Sequence, residues 1–335
     1  MTRISPIAQF VLLLGLVVPG LALAAPANQP PKPTAPEPCS PRTSGFDFSL
    51  RSDFTDLGPL GPCTQDKGFL SAQGATISGA NNLLTGQYSA ALDGLAAFDY
   101  RYYGSEDLIG YAIGPFVQGN NTYQFEPTKT QTHNGYTVTT GGYGEIAFAD
   151  AFTRGVQGID DFRFRGGEVE ANTGTTSESI VAEWIPSYAL GRPWNIGLPN
   201  QLGATALSYT PTPELMIQYD RLLSGPNKFT IFSTRNEAFR IGPQISLKLT
   251  LDESALPSAM PPWLKSFLGH TSALITNHES WDAYTNKEYS WTSVSFTYTL
   301  PDFSHFGITA SYGYGNLEQN GNKGNQVKLG LAAKF

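Results

Sequence analysis

Asn277-His278-Glu279-Ser280 places an imidazole and a hydroxyl two residues apart. On a strand, side chains two apart share a face. A histidine beside a serine is the minimum for an activated nucleophile. The same spacing recurs at His270-Thr271-Ser272, so spacing alone is a cheap signal. A second set of residues acts by charge and forms no bonds. Asp93, Asp99, Arg101, Asp161, Arg163, Arg165, Arg240 and Lys248 all fall on the polar parity of alternating segments. Asp161, Arg163 and Arg165 share one face of one strand. Charges of both signs along a pore wall select solutes by charge and size. The same charges can instead pair with each other and fill a closed interior.

Other chemistry is poorly supported. The two cysteines come early, and the four histidines are scattered, with His133 in a polar stretch and His305 near a turn. No metal site and no cofactor is expected from such a set. No glycine-rich phosphate loop of the required form appears. The formal charge is −7, which makes a nucleic-acid partner a poor expectation.

The elements that must position these residues are strands. Phe306, Ile308, Ala310, Tyr312 and Tyr314 alternate with Gly307, Thr309, Ser311 and Gly313. Val294, Phe296, Tyr298 and Leu300 alternate with serines and threonines. Ile241, Ile245, Leu247, Leu249 and Leu251 do the same, as do Leu215, Ile217 and Tyr219. Near the front, Tyr88, Ala90, Leu92, Ala96, Phe98, Tyr100 and Tyr102 form one apolar face, and Ile109, Tyr111, Ile113 and Val117 continue it. Alternation of this kind makes a sheet with one apolar and one polar face. The runs exceed the five or six residues usual for soluble strands and suit a tilted membrane crossing. Charged residues are only 15% of the chain, while Gly, Tyr and Phe are abundant. That composition suits a lipid face and a wet lumen. Tyr100, Tyr102, Tyr103, Tyr312 and Tyr314 gather at strand ends, as in an interfacial aromatic girdle. Residues 119–139 and 171–179 read as long polar outer loops, and 301–304 as a short inner turn. Trp263, Leu264, Phe267 and Leu268 predict a short amphipathic helix at the inner-leaflet interface.

The last strand is the most specific. Val327, Leu329, Leu331, Ala333 and Phe335 fall on one parity, and Gln326, Lys328, Gly330 and Lys334 on the other. This strand, ending in an aromatic, resembles the C-terminal assembly signal of Gram-negative outer-membrane β-barrels. The resemblance implies a place in the outer membrane, contact with its lipids and recognition by barrel assembly machinery. The expected fold is all-β: a transmembrane antiparallel up-and-down barrel of about twelve strands, fourteen being the next count, behind a Pro-rich N-terminal linker.

The Asn277–Ser280 segment resembles the His-x-Ser of outer-membrane phospholipase A, with Ser290-Trp291 near that family's spacing to its third residue. The resemblance implies a lipid hydrolase with His278 and Ser280 as its catalytic pair. This chain departs from the pattern in three ways. Thr292 stands where that family has the Asn that orients the histidine. Trp281-Asp282 replaces a Gly-containing turn. Few strands follow the motif.

The N-terminus reads as an address. Arg3, the apolar run 10–18 and Ala22-Leu23-Ala24 match a secretory signal peptide over residues 1–24. Residues 25–44 are a Pro-rich periplasmic linker, 45–66 a disulfide-linked segment and 67–335 the barrel. Cys39 and Cys63 form the expected disulfide of an oxidising compartment. The favoured function is a porin-like passive channel for small solutes, with no catalytic set favoured. The alternatives are the lipid hydrolase and a non-conducting structural or adhesive barrel.

Overall fold

A computed structural model describes residues 44–51, 75–83, 87–104, 108–125, 133–149, 158–171, 174–191, 193–202, 205–225, 236–301, 303–316 and 323–333. The strands are β1 (Gly45–Arg51), β2 (Ala75–Asn82), β3 (Gln87–Tyr103), β4 (Leu108–Phe125), β5 (His133–Ala149), β6 (Gly158–Ala171) and β7 (Thr175–Tyr188). They continue with β8 (Asn200–Gln201), β9 (Leu207–Ser224), β10 (Glu237–Leu251), β11 (Thr271–Asp282), β12 (Lys287–Leu300), β13 (Phe303–Asn316) and β14 (Lys323–Ala333). A 3-10 turn (Glu253–Ala255) and helix α1 (Pro262–Gly269) lie between β10 and β11. The signal peptide, the linker but for Ser44, Cys39, Cys63 and Phe335 lie outside the described residues.

Every pairing is antiparallel, and β14 returns to β2 from Ala333↔Ala75 to Gln326↔Asn82. The sheet therefore closes into a barrel of twelve strands with two extra ones, β1 and β8. Closure removes the edges that would leave backbone groups unpaired in lipid. β1 and β2 lie end to end on the same edge of β3: Arg51 pairs with Leu95, and Thr76 with Asp93. The sheet thus already includes residues ahead of 67. β8 fills a comparable place beside β9. The β7–β9 ladder stops at Trp184↔Leu215, and Asn200 and Gln201 take over opposite Tyr209 and Ser208.

Sidedness follows the alternation. Phe98, Ile113, Val117, Phe164, Ile180, Ile245, Phe296 and Ile308 point outward, and Leu329 and Leu331 are 62% and 64% exposed. A continuous apolar exterior of this extent is a membrane surface. The opposite parity is buried or half-buried.

Three sequence expectations are corrected. The long polar loops are mostly strand: β4 runs to Phe125 and β5 begins at His133, while β7 begins at Thr175. Polar alternation there carries the ladder beyond the apolar belt, and hydropathy alone reads it as loop. Ile109 leaves the lipid face because the β4–β5 register shifts between Leu108 and Gly110. It joins Leu95, Ala97, Ala112, Phe116, Tyr143 and Ala147 in an apolar cluster inside the barrel. Tyr103 packs on that cluster too, while Tyr102 stays outside and stacks on Tyr111 with ring centroids 5.2 Å apart.

Candidate functional site in the barrel interior

Gly-rich β5 supplies few inward side chains, but two of them, Tyr143 and Glu145, meet the charged face of β6. Glu145 stands opposite Arg163, and Arg163 opposite Glu183 on β7. This cross-strand row alternates in sign. The Arg163 guanidinium lies 3.5 Å from the Glu145 carboxylate and 3.3 Å from Asp161. One step along β6, Arg165 pairs with Glu183 at 3.1 Å. All but Arg165 are buried. Burying these charges is tolerable only because opposite charges accompany them.

Toward β3, Arg101 donates from Nε and Nη2 to the two oxygens of Asp99, at 2.9 and 3.1 Å. This is the forked geometry that makes arginine–carboxylate pairs strong. The Tyr143 hydroxyl donates to the same carboxylate, and Asp47 on β1 adds an outer ion pair to Arg101. Asn120 donates to Asp93. Across the barrel, Arg240 on β10 pairs with Asp220 on β9, which also accepts from Gln218 at 3.0 Å. Gln244 donates to Glu214 at 3.0 Å. Lys248 lies further along β10 on the same polar parity and is half-buried.

All eight polar-parity charges named from the sequence therefore stand on the inner side of the wall. Their partners Glu145, Glu183 and Asp220, and Glu214 opposite Gln244, were not singled out. Each also sits on the polar parity of its strand, and that parity was the available signal. The lumen is two-sided: an apolar cluster covers part of β3–β5, while β6, β7 and β9–β11 present charge.

His278 and Ser280 also point inward and are buried. The Ser280 Oγ has no hydrogen-bond partner, so nothing activates it. Asp282 shares their parity, but Ser280 lies between it and His278. Four residues of strand span about 13 Å, which puts that carboxylate out of reach of the imidazole. Asp282 Oδ1 instead accepts the backbone N–H groups of Tyr284 and Thr285 at 2.8 and 3.2 Å, shaping the β11–β12 turn. A pair walled inside the barrel does not face lipid. The geometry gives the phospholipase A resemblance no support.

Val327, Leu329 and Leu331 of the terminal strand lie on the lipid face. Among the described residues no group of three or more His, Cys, Asp or Glu is arranged to hold a metal ion. No described helix is long and apolar enough to cross a membrane.

No protein-family model and no curated protein matches the chain. Among solved structures, the β domain of the Bordetella autotransporter BrkA is similar at 10% identity, over 88% of this chain and 100% of its own, with a TM-score of 0.41. The transport unit of the autotransporter AIDA-I from Escherichia coli is similar at 8% identity, over 96% and 97%, with a TM-score of 0.38. The NanC porin is similar at 8% identity, over 78% and 100%, with a TM-score of 0.37. At these levels the likeness carries no functional meaning. Closure and the apolar belt, taken together, make the protein a β-barrel of the outer membrane.

Proposed function

We propose that the protein is a passive channel for small polar solutes, with a narrow passage running along the charged side of its lumen. The observation that supports this most is the alternating row Glu145–Arg163–Glu183, continued by Arg165 and by the Arg240–Asp220 pair. Charges of both signs on neighbouring strands of the wall discriminate among passing solutes by their charge. The inner apolar cluster around Leu95 and Phe116 narrows the lumen from the β3–β5 side. A structural barrel is the second reading, and that same cluster favours it, because buried apolar side chains inside a lumen exclude water. Reconstitution into a planar bilayer separates the two. The channel reading expects discrete conductance steps, small because the passage is narrow. A bilayer that stays silent with protein shown to be folded by heat-modifiable gel migration supports the structural barrel.

A further inference from the structure

Two connections at one rim of the barrel, the rim that the sequence reads as periplasmic, carry large apolar side chains in the open. Trp194 and Trp263 are 74% and 70% exposed, with Leu190, Leu202 and Phe267 also exposed beside them. Neither connection is a loose loop. The segment after β7 is pinned where Tyr188 bridges Ile196 and where the Tyr209 hydroxyl donates to the Pro193 carbonyl at 2.7 Å. Tyr209 stands on the apolar parity of β9, so that segment lies against the outside of the wall. Helix α1 is fixed at its end by the Thr271 hydroxyl donating to Phe267 O at 2.7 Å and by His270 N–H donating to Ser266 O. Its Phe267 ring rests 5.0 Å from Tyr298, an outward residue of β12. The Asp252 N–H donates to Ala206 O, joining the two connections at the rim.

We propose that these segments form one membrane-seated shelf, with Trp194 and Trp263 embedded at the headgroup level of the inner leaflet. The occupant is the phospholipid surface. The argument is continuity: Tyr209 and Tyr298 belong to the lipid-facing exterior, and the shelf extends that face directly. Indoles with an apolar body and one N–H favour this boundary. Because the shelf underlies β7 to β12 and not the remaining strands, it fixes barrel depth on one side only.

The test uses full-length protein in phosphatidylcholine vesicles carrying bromine either near the headgroup or near the chain end. W194F and W263F each lose part of the emission that headgroup-near bromine quenches in the unchanged protein, and lose little that chain-end bromine quenches. Both positions are largely exposed, so a Phe there leaves the fold intact, and heat-modifiable migration checks this. The proposal is overturned if neither variant changes bromine quenching while both lose emission quenchable by aqueous iodide. That result places the indoles in water, as a docking site for a periplasmic protein requires.

Discussion

Arg163 and Glu145 face one another across β5 and β6, 3.5 Å apart, both nearly removed from solvent. Breaking a buried pair from one side leaves a charge uncompensated, at a cost of about 3–5 kcal/mol. Glu145→Gln is expected to leave Arg163 with Asp161 and to cost less than Arg163→Met, which strands several carboxylates. Urea unfolding of the refolded barrel in vesicles measures both. Equal, negligible effects contradict the arrangement.

Gly141 and Gly142 are adjacent but not equivalent. A Cβ at Gly141 meets the Gly166 carbonyl oxygen at 2.0 Å, whereas at Gly142 the nearest neighbour, the Gly114 carbonyl, is 3.8 Å away. Gly141→Ala is therefore expected to disrupt the β5–β6 ladder and reduce the yield of heat-modifiable barrel. Gly142→Ala is expected to fold normally. The opposite ranking on the same gel would show that the register is wrong.

The terminal strand offers a sidedness test. Leu329 faces lipid, and Lys328 the interior. Leu329→Lys puts a charge in hydrocarbon and is expected to cost about 2–4 kcal/mol if it lies near the midplane. Lys328→Gln is expected to cost well under that. Comparative unfolding in vesicles decides, and similar costs for the two contradict the assignment of faces.

Ser280→Ala and His278→Ala are expected to leave phospholipid turnover unchanged, measured as fatty acid released from micelles with calcium present. Hydrolysis by the unchanged protein that Ser280→Ala abolishes would restore the catalytic reading, since it requires a contact that Ser280 Oγ lacks here.

The fold was legible where alternation is strongest. Leu329, Leu331 and Ile308 announce their face because every second neighbour is small or polar, and the eight polar-parity charges follow from the same rule. Residues 119–125 and 133–139 were not legible, because Gly, Asn, Gln and Thr dominate both segments and outweigh the short alternations Tyr123/Phe125 and Tyr136/Val138. Ile109 misled because a register shift reverses the parity that its sequence position implies. The acidic partners Glu145 and Glu183 stood on the right parity. Nothing local marked them, since a salt bridge across strands depends on register that a single strand does not encode.

The most direct test of the charged passage is the reversal potential of single channels under a salt gradient. Among the described residues, inward carboxylates (Asp47, Asp93, Asp99, Glu145, Asp161, Glu183, Glu214, Asp220 and Asp282) narrowly outnumber Arg51, Arg101, Arg163, Arg165, Arg240, Lys248, Lys287 and Lys328. Mild cation preference is therefore expected, and Glu183→Lys should shift it toward anions. Conductance steps whose reversal potential is untouched by Glu183→Lys would mean that ions do not pass this wall.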